Sequence, residues 1–330
     1  SDGGKANCYM APAGKSYSFY AMTKGNSSES VGTPTKAELL WETQCGADAL
    51  EKNCVVKDVV FDAGYVYFTA VADGNAVIAV KDAGDNILWS WHIWVTGYDP
   101  NNDYDTWCSG VKMMNRNLGA LSKNPEDGAL THGLLYQWGR KDPFVASSAI
   151  RSTSMATTYP PFVATYKPTD REVGTVNYSI ANPTVFITAG TSPYGWQYSA
   201  DEKLWGSQKT QYDPCPPGWK VPEKSAWEGW PVESSFPAFF DSSDFGFTFG
   251  TSYSSPATWW PVPGYRIYST GLIYILYDYF TTYISGCWTA TYWYSYWCFV
   301  INNSAYSTYE LSMHYTSGAS GCNVRCQKEE

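Results

Sequence analysis

Charged residues are scarce in this chain, and no run of lysine and arginine occurs in it. Only 16% of the 330 residues are charged, and the formal net charge is −9. Nucleic acids and anionic membrane surfaces bind through clustered basic side chains, so both are poor partners for this chain. No apolar run approaches the roughly 18–20 residues that a membrane helix needs, so the sequence predicts no membrane span.

The sequence also lacks the local motifs of common enzymes. It contains no GxSxG, HExxH, P-loop or GxGxxG pattern. Its three histidines, His92, His132 and His314, share no metal-ligand spacing. These absences favour a protein that is not an enzyme.

Cysteine and aromatic residues, by contrast, are abundant. The chain has nine cysteines, 27 tyrosines and 16 tryptophans, and the cysteines lack the paired CxxC spacing of zinc sites. This composition favours an exported, β-rich protein in an oxidising compartment. Because the number of cysteines is odd, at least one thiol is free or pairs between chains.

The first 97 residues alternate short β-like runs with turn signals. The clearest pattern is a hairpin at 74–95, in which two apolar runs surround the turn sequence at 83–86. About seven such runs predict a small antiparallel β-sandwich over residues 1–97. The polar segment GYDPNNDYDTW at 97–107 then marks the predicted boundary with a second domain, 98–330.

Three acids lie in or next to this polar segment. Asp99, Asp103 and Asp105 could gather around calcium, because calcium prefers oxygen ligands. The segment lacks the glycine and the terminal glutamate of an EF-hand loop, so a solvated linker is the alternative interpretation. No other cofactor is expected.

The second half is predicted to contain two short helices and a long irregular segment. Leu134, Leu135 and Trp138 have helical spacing and predict a helix that ends near Gly139. A second helix is predicted after Pro222. Residues 145–205 are rich in Ser, Thr, Pro and Tyr without strong periodicity, which predicts an irregular insertion on the surface.

The region 251–310 is dense in aromatic residues and almost free of charge. It holds 12 tyrosines and five tryptophans but one Arg, one Asp and one Glu, which suits glycan stacking or protein contact. In a strand, TYWYSYW would place tyrosines on one face and tryptophans on the other, and only one face is expected to be accessible. The candidate ligand-binding residues are Trp293, Tyr294, Tyr296 and Trp297.

The stretch Tyr212 to Pro222, YDPCPPGWKVP, predicts a rigid corner, which we call the proline corner. Its four prolines cannot lie inside a helix or a central strand, and Gly218 permits a turn. Trp219 is a large apolar anchor for such a loop. Cys215 is expected to hold the corner through a partner far away in sequence, and the chain ends in GCNVRC and four further residues.

Several motifs together resemble one family. MMNRNLGA, HGLLYQWGRKDPF, CPPGWKVP, WWPVPGYR, CWTAT and NVRC occur in that order over about residues 107–326. This resembles the Fibrobacter-type major paralogous domain of surface proteins from Bacteroides-like bacteria, which is related to the C-type lectin-like fold. The front part, with ANCYM and GNAVIAVKDAGDNILWSWHIWVTGYDP, is similar to the β-sandwich that precedes this domain in fimbrillin-like proteins.

The resemblance implies a β-rich α+β protein with a fimbrillin-like sandwich at 1–97 and a C-type lectin-like domain at 98–330. That fold brings its chain ends together, which implies a disulfide between Cys215 and Cys326. The family motifs also imply structural roles for Trp219, Trp260, Tyr265 and Trp288. The Glu/Asn-Pro pairs and the Trp-Asn-Asp triplet of calcium-dependent lectins are absent from a suitable late position, which argues against their sugar site.

The function implied is adhesion at the extracellular or outer-membrane surface of a Gram-negative bacterium. The expected protein is an adhesin or fimbrial-tip subunit, with a host or microbial glycan or protein as ligand and other fimbrial subunits as further partners. The alternative is a glycan-capture lipoprotein of a carbohydrate uptake system. A third hypothesis is a relative of the formylglycine-generating oxidases, which would require a free dithiol at Cys322 and Cys326.

Overall fold

The computed structural model describes residues 4–44, 50–107, 109–161, 165–190, 195–227, 238–241, 243–252, 255–275, 285–292, 296–303 and 309–330. Strands make up 38% of the chain, and they form several sheets in which antiparallel pairing predominates. The described helices are all short. They are the α-helix α1 (Val176–Ala181) and the 3-10 helices Pro125–Thr131 and Lys224–Trp227.

The seven strands predicted in the first 97 residues are present, and they form two sheets. They are β1 (Cys8–Ala11), β2 (Lys15–Tyr20), β3 (Lys36–Thr43), β4 (Val56–Asp62), β5 (Tyr65–Ala70), β6 (Gly74–Lys81) and β7 (Ile87–Val95). One sheet has the order β1-β7-β6-β3 and the other β2-β5-β4. β6 and β7 form the predicted hairpin. β1 runs parallel to β7, so the sandwich is not wholly antiparallel.

The sheet containing β6 is covered on both of its faces. Ile78 and Val80 belong to the hydrophobic core that the two sheets share. Val77, which points to the opposite face, belongs to a second core cluster together with Trp138 and Trp288. All eight side chains of β6 are therefore buried.

Buried hydrogen bonds also cross the predicted boundary at residue 97. The side-chain amide of Asn7 donates to the backbone carbonyls of Gln211 (2.7 Å) and Asp213 (2.8 Å). The side-chain amide of Asn75 donates to the carbonyl of Gly119 (2.8 Å). Residues before and after the polar segment at 97–107 thus contact each other directly, and the two-domain division remains a prediction.

The remaining strands form four further sheets. They are β8 (Tyr104–Thr106), β9 (Lys112–Met114), β10 (Leu134–Gln137), β11 (Phe144–Val145), β12 (Thr165–Pro168), β13 (Val185–Thr188), β14 (Trp219–Lys220), β15 (Ala238–Asp241), β16 (Gly246–Ser252), β17 (Ser255–Pro261), β18 (Tyr265–Arg266), β19 (Ile273–Tyr274), β20 (Ser285–Tyr292), β21 (Tyr296–Asn303), β22 (Tyr309–Thr316), β23 (Gly321–Asn323) and β24 (Gln327–Lys328). The largest sheet has the order β11-β10-β23-β20-β21-β22, with β18 and β19 attached at β23. The other sheets are β14-β24-β9-β8, β15-β16-β17 and β12-β13.

The helix predicted from Leu134, Leu135 and Trp138 is wrong. Leu134–Gln137 is strand β10, which pairs with β11 and β23. All four of its side chains are buried, so the strand is covered on both faces. A short run of this kind cannot be distinguished from one face of a helix by spacing alone. The helix predicted after Pro222 is present as the 3-10 turn Lys224–Trp227.

The prediction of an irregular surface insertion at 145–205 is also wrong in part. The segment contains β12, α1 and β13, and the last of these is fully buried. Phe186, Trp196 and Trp205 are each at most 1% exposed. These large side chains are separated by Ser, Thr and Pro, so their burial leaves no periodic trace in the sequence.

Candidate functional site

The proline corner is held in place by a disulfide, as the resemblance implied. Cys215 and Cys326 are bonded, with their Cα atoms 6.0 Å apart and a sequence separation of 111 residues. Next to this bond, β14 pairs with β24, so that Trp219 lies opposite Lys328. The corner and the end of the described chain are thus joined by both a covalent bond and a strand ladder.

Two buried charges of opposite sign surround the corner. The carboxylate of Asp213 accepts hydrogen bonds from the backbone N–H groups of Cys215 and Val221, both at 2.8 Å. The ammonium of Lys209 donates to the carbonyls of Cys215 and Pro216, both at 2.8 Å. It also donates to the carbonyl of Trp219.

Burial shifts both of these groups toward their neutral forms. Burial lowers the pKa of Lys209, and the nearby Asp213 carboxylate opposes that shift. Burial raises the pKa of Asp213, and Lys209 with the two N–H donors opposes that shift in turn. Together, Lys209 donates hydrogen bonds to carbonyls of the corner and Asp213 accepts hydrogen bonds from its N–H groups. These bonds fix the conformation of the corner.

The outer side of this corner forms one wall of a groove with a volume of about 800 Å³, which we call the aromatic groove. Its lining comes from five separate parts of the chain: residues between 4 and 12, residues 18–20, Tyr65, residues 96–101, and the corner residues Pro216, Pro217 and Trp219. Each part is a loop or a strand end that the sheets and the disulfide position.

Exposed tyrosine rings form another part of the lining of the aromatic groove. Tyr20 of β2 and Tyr65 of β5 are directly opposite each other in the ladder. Each is 41% exposed, and their rings meet edge to face with centres 5.4 Å apart. Side chains alternate along a strand, so Phe19 and Val66 fill the core while their neighbours face outward.

The segment after β7 contributes a further tyrosine to the groove. The guanidinium of Arg116 lies 3.9 Å from the centre of the Tyr98 ring, and the Tyr98 hydroxyl accepts a hydrogen bond from the N–H of Asn115 (3.3 Å). Burial raises the pKa of Tyr98. Burial likewise raises the pKa of Tyr9, another lining residue, to about 12. Both phenols are therefore protonated at neutral pH and can donate hydrogen bonds.

A smaller groove of about 410 Å³ adjoins the aromatic groove through residues 96–99. Two of the predicted calcium ligands, Asp99 and Asp103, line it. The Asp99 carboxylate accepts from the backbone N–H of Asn101 (3.0 Å) and the side chain of Asn102 (2.7 Å). The Asp103 carboxylate accepts from the ammonium of Lys123 at 2.9 and 3.0 Å.

The third predicted calcium ligand, Asp105, does not line the smaller groove. Burial raises its pKa, while Arg325 acts in the opposite direction. In the part of the chain that the structure describes, no three His, Cys, Asp or Glu side chains are arranged to hold a metal ion.

The four predicted ligand-binding rings cannot be placed in a site. Trp293 and Tyr294 lie outside the described residues. Tyr296 and Trp297 belong to β21, which pairs with β20 and β22, and their side chains are outside the description. Their role stays a prediction.

The motif tryptophans of the resemblance are buried, in keeping with structural roles. Trp219, Trp260 and Trp288 are each at most 1% exposed. The indole of Trp288 donates to the carbonyl of Tyr136 (2.6 Å), and the Arg325 guanidinium lies 3.8 Å from the Trp260 ring centre.

The dithiol that the oxidase hypothesis requires is not formed in this structure. Cys326 is bonded to Cys215, and Cys322 is a buried free thiol. Cys8, Cys54 and Cys287 are the other free cysteines among the described residues.

Neither a family model, nor a curated protein, nor a solved structure matches this chain. Over the described residues, none of the helices has the length and hydropathy needed to cross a membrane. The geometry of the aromatic groove is therefore the main indication of function. Tyr20 and Tyr65 were not predicted from the sequence as binding residues, although the alternation in YVYFTA was a usable signal for outward-facing rings.

Proposed function

We propose that this chain is a non-enzymatic binding protein of the cell surface, of the adhesin or fimbrial-tip class, and that it binds its ligand in the aromatic groove. The observation that carries the proposal is an open groove of about 800 Å³ with exposed tyrosine rings on one wall. Ligand sites are concave, typically about 300–1,000 Å³, and rich in aromatic side chains.

The walls of the groove are held rigidly, which favours binding. The Cys215–Cys326 bond and the buried Lys209–Asp213 pair fix the corner wall. Tyr20 and Tyr65 project from paired strands. A site that is already ordered loses little conformational entropy when a ligand binds, so more of the contact energy contributes to affinity.

The charged groups of the groove suit binding better than proton transfer. Of the residues described as lining it, Lys5 and Asp99 are the charged ones. The Lys5 ammonium donates to the carbonyl of Ser27 (3.3 Å), and the Asp99 carboxylate accepts two hydrogen bonds from its own loop. Both groups are engaged in hydrogen bonds within the protein.

The surface location is supported by the disulfide and by the composition. Disulfides persist in oxidising environments such as the bacterial periplasm and the cell exterior. The resemblance to surface and fimbrial-tip proteins supports the same location and the adhesive role.

Binding of fluorescently labelled protein to fixed epithelial and bacterial cells tests the proposal. We expect saturable binding by the native chain and loss of binding by the double variant Tyr20→Ala/Tyr65→Ala. Tyr268→Ala is the matched control, because Tyr268 is also exposed (47%) and does not line the groove. The proposal fails if no cell type is bound, or if the double variant binds as well as the control.

A further inference from the structure

The outer face of the β2-β5-β4 sheet continues the aromatic groove. Tyr65 and Tyr67 occupy alternate positions of β5 and therefore point to the same face. Tyr67 is 43% exposed and does not line the groove, but its ring centre lies 6.4 Å from that of Tyr65. With Tyr20, these rings form a row that begins in the groove and continues onto the open sheet; we call it the tyrosine row.

Hydroxyl groups flank the tyrosine row. Ser18 lies opposite Tyr67, and Ser16 lies opposite Thr69, whose hydroxyl oxygen is 3.0 Å from that of Ser16. The ammonium of Lys5 lies 5.7 Å from the Tyr20 ring centre. The β4 residues opposite Thr69 and Tyr65 are Lys57 and Asp62. The surface thus combines flat rings with hydroxyl groups and with a few charges of both signs.

This combination suits a sugar chain. A pyranose ring has an apolar face of C–H groups that packs on an aromatic ring and a rim of hydroxyls that hydrogen-bonds at the sides. A succession of sugar rings can occupy a succession of tyrosines. The chain itself has a net charge of −9, which disfavours a polyanionic glycan and favours a neutral one.

A peptide fits the tyrosine row less well. β5 is the central strand of its sheet, and its backbone groups are engaged in the ladders with β2 and β4. A peptide lying over Tyr65 and Tyr67 would find no main-chain partners there, whereas peptide recognition by strand addition needs an open sheet edge. A sugar chain needs no such partners, because its outward hydroxyls stay in water.

We infer that the ligand is a neutral glycan of several sugar residues, which lies in the aromatic groove at Tyr20 and Tyr65 and continues along the sheet over Tyr67. This inference rests on the proposed function, because it names the ligand class of the same groove. It also assigns binding to the amino-terminal sandwich, far in sequence from the predicted residues Trp293–Trp297.

Treatment of the cells separates the ligand classes. Cells that bind the labelled protein are treated either with mild periodate, which cleaves vicinal diols of sugars, or with protease. We expect binding to survive protease and to be lost after periodate. Binding that survives periodate and is lost after protease overturns the glycan inference and leaves the adhesive function intact. Absence of binding to any untreated cell instead contradicts the proposed function.

The length of the ligand is tested with oligosaccharides released from the same cells and separated by size. We expect large fractions to inhibit binding more strongly than small ones. For Tyr67→Ala, the large fractions should inhibit about tenfold less well, with little change for the small fractions, whereas Tyr67→Phe should behave like the native chain. Released oligosaccharides that do not inhibit overturn the inference, and so does a Tyr67→Ala variant with native inhibition at every size. Tyr268→Ala and thermal unfolding of each variant control for folding.

Discussion

The ammonium nitrogen of Lys209 lies 3.9 Å from Oδ1 of Asp213, and the two side chains are only 4% and 3% exposed. Between them they hydrogen-bond five backbone groups of the proline corner. Because the corner is a wall of the aromatic groove, this buried pair connects the stability of the protein with the shape of its candidate site.

Removing the cation from this pair should strongly destabilise the fold. Lys209→Met leaves three carbonyls without their donor and the Asp213 carboxylate without a counter-charge, so we expect the free energy of unfolding to fall by about 3–5 kcal/mol. Denaturant titration measures this. In the control Lys36→Met, the ion pair with Asp85 is exposed on both sides, and we expect little change. Equal effects of the two substitutions would contradict the buried role of Lys209.

The disulfide should also contribute substantially to stability. Replacing Cys215 and Cys326 together by serine removes a cross-link over a long loop, and we expect a loss of about 2–5 kcal/mol in the free energy of unfolding. Cys54→Ser, at a free thiol, is the control with little expected effect. Peptide mapping without reduction should recover the Cys215–Cys326 pair. Recovery of free thiols at both Cys322 and Cys326 would instead support the oxidase hypothesis.

Two buried histidines predict a loss of stability in mild acid. The Nε2–H of His92 donates to the side-chain carbonyl of Asn75 (2.8 Å), and burial lowers the His92 pKa to about 3. Burial lowers the pKa of His132 to about 4. In the unfolded chain both rings titrate near pH 6.5, so between that pH and the folded pKa the unfolded state binds more protons. Stability is therefore full above about pH 6.5 and falls as the pH drops.

The expected size of this effect is about 2 kcal/mol per histidine at pH 5 relative to pH 7. Denaturant titrations between pH 7 and pH 5 measure it. The variant His92→Gln should reduce the slope of stability against pH by about half, whatever its effect on stability at pH 7. A native protein with the same stability at both ends of this range would show that the histidines are accessible to protons when folded.

The strands of the amino-terminal part could be predicted from the sequence because local signals agreed with tertiary structure. The β6–β7 hairpin is an example, with a turn in which the Asp82 carboxylate accepts from the N–H groups of Gly84 and Asn86. β10 could not be predicted, because a strand buried on both faces carries no alternation. The parallel pairing of β1 with β7 could not be predicted from local signals either, because the paired residues Cys8 and His92 are far apart in sequence.

The aromatic groove could be predicted only in part. The stiffness of the corner follows from its prolines, and the Cys215–Cys326 bond followed from the resemblance. The groove as a whole could not be predicted, because its lining comes from five distant stretches that only the folded chain brings together. In the sequence, Tyr20 and Tyr65 look like ordinary strand residues, and only the pairing of β2 with β5 places them side by side.

The disulfide also determines how this molecule carries a mechanical load. A pull applied to the chain outside the closed loop travels from Cys215 to Cys326 through the sulfur–sulfur bond. The backbone of strands β14 to β23 lies within that loop and outside the covalent path of the load. Extension under force must therefore come from the part of the chain that precedes Cys215. That part includes the strands bearing the tyrosine row, so a force exerted through a bound ligand acts on the strands that bind the ligand.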